Sequence, residues 1–129
     1  MTDAIDIEAA VAKQTFFEGR TRFSDITGTF ARLAEYRDGA IFAGGFSGVS
    51  QWERHLKGDE VVQILKGSVT LSLILTDGSE EKLALKAGML AVVPQGAWHR
   101  FDAPDGVTLM TTTPQPTEHI TDERPPAAK

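Results

Sequence analysis

The stretch WERHLKGDEVVQILKG, at positions 52–67, gathers Glu53, His55 and Glu60 into a short span. A second stretch, PQGAWHR at 94–100, sets His99 behind a Pro-x-Gly turn, in a chain with only 3 histidines. Imidazoles and carboxylates are good donors to divalent cations when a rigid scaffold holds them together. Residues two apart on a strand share a face, so Glu53 and His55 point the same way. A turn at 57–59 returns the chain to a strand that opens at Glu60, where Glu60, Val62 and Ile64 share a face. Pro94 and Gly96 make a second reversal, and His99 opens another strand. If these strands are neighbours, Glu53, His55, Glu60 and His99 converge in the mouth of a barrel.

The rest of the chain is patterned to supply such strands. Residues 3–14, DAIDIEAAVAKQ, are Ala-rich with early acids and predict a short helix. From about Thr27 the periodicity turns from helical to alternating. Residues 30–36 and 40–46 flank RDG at 37–39, a hairpin turn. Val69, Leu71, Leu73 and Leu75 alternate with Thr70, Ser72 and Ile74 in a half-buried strand, and TDGS at 76–79 turns it into a partner at 81–85. Further short strands are predicted at 51–55, 60–65, 90–93, 99–102 and 107–112. Short strands punctuated by Gly, Pro and Asp turns, with no helix fit for a parallel crossover, predict an all-β sandwich or barrel. From Pro114 onward the chain is polar and Pro-rich, which predicts an extended arm or a disordered tail. The expected layout is an N-terminal segment at 1–26, helical or extended, a β-barrel at 27–113, and a C-terminal tail at 114–129.

These two stretches resemble the paired motifs of the cupin superfamily, small β-barrels of the jelly-roll, or double-stranded β-helix, type. The first family motif reads G-x5-H-x-H-x(3–4)-E-x6-G; here Glu53 stands at the first histidine, His55 at the second, Glu60 at the glutamate and Gly67 at the closing glycine. The second, G-x5-P-x-G-x2-H-x3-N, is matched by Gly88, Pro94, Gly96 and His99 at every spacing. Together they cover residues 48–103. Three departures stand out: Gly48 is one position short as the opening glycine, Glu53 replaces a histidine, and Ala103 replaces the final asparagine. The resemblance implies a divalent metal at the barrel centre held by His55, Glu60 and His99, a 2-His-1-carboxylate set that leaves coordination positions open. With Glu53 added, two carboxylates neutralise a divalent ion and favour iron(II) or manganese(II) over copper(I), while zinc and nickel stay compatible. The other role open to Glu53 is a solvent-facing carboxylate paired with Arg54 or Lys57, a contact worth little. The resemblance further implies a homodimer.

Bulk properties exclude several classes. A chain of 129 residues fits one domain of the usual ~100–150 residues. Its hydrophobic content of 41% and charged content of 24% permit an ordinary core. With 13 basic against 18 acidic side chains, net charge −5, and no basic cluster, it offers no phosphate-binding surface, and no nucleic-acid partner is expected. The absence of cysteine excludes disulfides, thiolate catalysis and sulfur-bound metal. No apolar stretch approaches the ~20 residues of a membrane helix, and residues 1–8 are acidic, unlike a signal peptide, so a soluble cytoplasmic protein with no membrane partner is expected.

Other residues carry simpler expectations. Gln51 and Phe101 share the ligand face by parity and are expected to contact substrate, core packing being the alternative for Phe101. Trp52 and Trp98 face the other way, as packing or interface anchors. His119 belongs to the polar tail and is expected to be solvated. No nucleophile elbow and no phosphate-cradling loop occurs. The expected function is a metal-dependent enzyme acting on a small organic molecule, an oxygenase foremost. The alternatives are a non-redox isomerase or lyase and a non-catalytic small-molecule-binding cupin. One fold hosts many activities, so the fold does not choose among them.

Overall fold

The computed structural model describes residues 2–126. Helix α1 (Ile7–Ala12) is capped by Asp6, whose Oδ1 accepts from the Ala9 N–H at 2.9 Å. It is shorter than the 3–14 composition predicts, because the chain leaves it at Lys13 and the Thr15 N–H turns to the Gly28 carbonyl at 3.0 Å. Strand β1 (Phe17–Arg20) runs parallel to β3 (Gly39–Val49), and β2 (Phe30–Tyr36) forms the expected hairpin with β3. There follow β4 (Trp52–His55), β5 (Glu60–Ile74), β6 (Glu80–Lys86), β7 (Leu90–Val93), β8 (Trp98–Pro114) and β9 (Thr117–Ile120). The sheet runs β1-β3-β8-β4-β9, with β5 joining β6, β7 and β8. The outcome is an all-β jelly-roll barrel.

Strands expected as separate pieces turn out to be continuous. The segments at 60–65 and 69–75 are one strand, β5, and those at 99–102 and 107–112 are one strand, β8. Each bends at a glycine instead of breaking. Gly67 has φ +75°, and a Cβ there would lie 2.3 Å from the Gly106 carbonyl oxygen, so only glycine lets the two strands approach. The register shifts on both sides of this point, and the pair curves there like a barrel corner. Alternation then decides what lies inside: Val62, Ile64, Val69, Leu71 and Leu73 from β5 meet Phe101, Val107 and Leu109 from β8 in one buried cluster. Each such side chain contributes roughly 1.5–3 kcal/mol by leaving water.

The segments outside the central strands also pair with the sheet. β1 lies against β3, and β9 adds to the free edge of β4 in antiparallel register. On the outer side of β4 and β8, Trp52 and Trp98 are buried beneath charged partners. The Arg100 guanidinium stacks 4.7 Å over Trp52, and Arg54 stacks 4.5 Å over Trp98. The Trp52 indole donates to the Glu123 carbonyl at 3.0 Å, so both rings pack within the chain. Among the described residues, no helix is long and apolar enough to cross a membrane.

Candidate metal centre

The two sequence stretches are stitched together at their turns. Gln95 N–H donates to Asp59 Oδ1 at 2.8 Å, its Nε2 donates to the Leu56 carbonyl at 2.8 Å, and Gly96 N–H donates to the His55 carbonyl at 2.9 Å. Register completes the arrangement, since Glu53 lies directly opposite His99 across β4–β8 and Glu60 opposite Val93 across β5–β7. Glu53, His55, Glu60 and His99 thereby place one donor atom each within 4.8 Å of one another. All four sequence-predicted ligands are brought together.

The donors sit close without satisfying each other. His99 Nε2 stands 3.0 Å from Glu60 Oε1 and 3.3 Å from Glu53 Oε1, and His55 Nε2 stands 3.3 Å from Glu60 Oε2. Yet His55 Nε2, His99 Nε2 and Glu60 Oε1 are buried and make no well-aimed hydrogen bond. Such orphaned atoms are costly unless something else meets them. Two ligands on one ion at roughly 2.0–2.2 Å lie at most about 4.4 Å apart, so small shifts let this set grip a single divalent ion. Two carboxylates with two imidazoles suit iron(II), manganese(II), zinc or nickel by donor type.

Each candidate ligand has a second partner that holds it in place. His99 Nδ1 lies 3.1 Å from the Ala97 carbonyl, which can only accept, so the neutral ring keeps its proton there and leaves Nε2 as the donor. His55 Nδ1 lies 3.0 Å from Thr117 Oγ1, and Thr113 Oγ1 donates to Glu60 Oε2 at 2.6 Å. His119 Nε2 lies 3.1 Å from Glu53 Oε2. His119 stays solvated as expected, with its side chain 47% exposed, and it also reaches Glu53. β9 places His119 opposite Glu53 and Thr117 opposite His55, while Arg54 pairs with Glu118 on the outer side.

Electrostatics reinforce the cluster. Burial would raise the Glu53 carboxyl, but the His119, His99 and His55 imidazoles close to it outweigh that, holding the group below the usual range. Glu60 follows the same pattern, burial opposing and His55 and His99 prevailing. Burial would lower His99, yet Glu53 and Glu60 together push it up to about 10.

This geometry can be set beside known proteins. No family model matches the chain, and no curated protein sequence does. Among solved structures, a cupin-2 domain protein from Shewanella frigidimarina is similar at 22% identity and TM-score 0.57, over 74% of this chain and 84% of that one. The chain has the cupin fold. Protein NMB1881 from Neisseria meningitidis is similar at 18% identity and TM-score 0.60, over 88% of this chain and 100% of that one. Hydroquinone 1,2-dioxygenase PnpCD, solved in complex with Cd2+ and 4-hydroxybenzonitrile, is similar at 15% identity and TM-score 0.58, over 87% of this chain and 72% of that one.

In this cupin-fold barrel the cluster opens into a cavity of about 220 Å³. Ile26, Phe30, Phe42, Phe101 and Leu109 form its apolar wall, and Thr111, Thr113, Gln115 and Thr117 a polar strip. Phe101 lines it as expected, its ring edge-on to His99 at 6.1 Å; Gln51 does not line it, since it lies before β4 begins at Trp52, where strand alternation does not set its direction. Larger grooves of about 460 and 360 Å³ lie elsewhere and hold none of the four candidate residues, so chemistry, not size, selects this one. Sequence reasoning missed Arg20, which also lines the cavity and is only 7% exposed. The available signal was Gly48, at φ +99°: a Cβ there would lie 2.3 Å from the Arg20 carbonyl oxygen, so glycine admits β1 against β3.

Proposed function

We propose that this cupin is a non-haem metal-dependent oxygenase acting on a small organic molecule. The observation that carries the reading is the buried His55, Glu60 and His99 set, joined by Glu53, with unsatisfied donor atoms at the base of a largely apolar cavity. A redox-active ion such as iron(II) or manganese(II), when bound, supplies the electron transfer that lets dioxygen attack an organic substrate. The chain's own residues do the rest. Phe30, Phe42, Phe101 and Leu109 shield the reacting atoms from water and orient the substrate. Thr113 and Thr117 lock Glu60 and His55 in place, and Ala97 fixes the tautomer of His99. The likeness to a dioxygenase structure supports the reading at the level of fold.

A second reading, a non-redox isomerase or lyase, draws on Glu53. This carboxylate is 20% exposed, more than the other three ligand positions, and His119 holds one of its oxygens. It can accept a proton from substrate if it is not bound to the ion.

Elemental analysis of the purified protein and of His99→Ala tests the metal centre. One equivalent of metal in the wild type and its loss in the variant are expected; stoichiometric metal in His99→Ala would overturn the assignment. Oxygen uptake by iron-loaded but not zinc-loaded protein, across a panel of catechols, keto acids and thiols, separates the oxygenase from the non-redox reading.

A further inference from the structure

Among the described residues, Arg20 is the arginine that lines the cavity, and the metal centre does not use it. Its guanidinium stacks 4.7 Å over the Phe46 ring, and Phe46 packs against Phe101 at 6.4 Å, which places the charge inside the barrel on the ligand side. Glu53 attracts it, but that carboxylate is already engaged by His99 and His119, and among the described residues no acceptor pairs with the Arg20 side chain. The side chain is largely buried but opens to the cavity, and its fork of donors matches a carboxylate in shape and charge. Two carboxylates and one divalent ion sum to zero, so Arg20 leaves a single positive charge for the ligand to meet. The cavity of about 220 Å³ falls below the ~300–1,000 Å³ of drug-sized sites, which restricts that ligand to a small one.

We propose that Arg20 is the subsite for the carboxylate of a small monoanionic organic acid, whose apolar part packs on Phe42 and Leu109 and whose reacting end reaches the metal centre. The proposal rests on the oxygenase site above and narrows its substrate class.

The test uses zinc-loaded and metal-free protein as wild type, Arg20→Gln and Arg20→Lys, titrated calorimetrically. The probes are benzoate against benzamide and 4-methylpentanoate against its amide. At least one acid is expected to outbind its amide tenfold or more on the zinc-loaded wild type. Arg20→Gln removes that preference while keeping one equivalent of zinc, and Arg20→Lys retains part of it. If neither acid outbinds its amide, or if zinc-loaded Arg20→Gln keeps the preference, the Arg20 assignment is overturned. If the wild type holds no zinc, the metal centre fails instead. The acid-over-amide preference of metal-free protein, and its loss in Arg20→Gln, then decides the Arg20 subsite independently.

Discussion

Glu53 and His99 face each other across the β4–β8 pair, with His99 Nε2 3.3 Å from Glu53 Oε1, and His119 on β9 completes the row from the far side at 3.1 Å. This three-strand row turns a residue that departs from the cupin motif into a carboxylate held at both oxygens. Several measurable consequences follow from it and from the cluster beneath it.

Removing a ligand should cost more than removing its support. His55→Ala, Glu60→Ala or His99→Ala each deletes a buried donor and is expected to lower metal affinity at least a hundredfold. Thr117→Val and His119→Ala delete only outer hydrogen bonds to His55 and Glu53, for which losses of about 10–100-fold are usual. Competition with a chromophoric chelator gives both numbers; equal losses in the two groups would contradict the distinction.

Metal uptake should strengthen as pH rises. His99 in the metal-free protein keeps its proton up to about 10, and the ion needs the neutral ring, so the proton must leave on binding. Below that value, affinity should gain up to about tenfold per pH unit with one proton released. Calorimetry of zinc binding in buffers of differing ionisation enthalpy counts that proton directly.

Stability of the metal-free protein should depend on pH in the opposite sense on the alkaline side. His99 is raised above its usual 6.5, so its contribution is full below that value and fades as pH climbs towards about 10. Glu53 and Glu60 are depressed below 4.5, so their contribution is present above that value and lost on further acidification. Thermal melting in chelator should therefore peak between those limits, and added zinc should restore stability on the alkaline side. A flat profile from pH 6.5 to 9 in chelator would contradict the raised His99, and one flat below pH 4.5 the depressed Glu53 and Glu60.

Gly48→Ala should loosen β1. The substitution forces a left-handed φ of +99° on alanine and drives its Cβ to 2.3 Å from the Arg20 carbonyl oxygen. A cost of roughly 1–3 kcal/mol is expected for such strain, seen as a lowered melting temperature. Because β1 carries Arg20, loss of the acid-over-amide preference should accompany it, with zinc binding retained.

Much of the site was legible in the residues themselves. Strand parity alone put Glu53 and His55 on one face, and the spacing of Gly88, Pro94, Gly96 and His99 marked a turn that delivers an imidazole. Both properties are local, set by backbone geometry within a few positions. The hairpins at RDG and TDGS were legible for the same reason, since turn chemistry is carried by the turn's own residues. The continuity of β5 and β8 was not, because Gly67 and Gly106 read locally as breaks and only their mutual contact makes them bends. Arg20, Thr117 and His119 lie farther still from any local signal. β1 and β9 are short and polar, without a hydrophobic period, and become strands only because β3 and β4 offer them open edges. Sequence by itself thus determined the barrel class, the metal-type donors and the turns that carry them. Tertiary pairing decided which side chains surround those donors, since hydrogen bonds between strands distant in the chain depend on where the edges lie and not on what any single segment prefers.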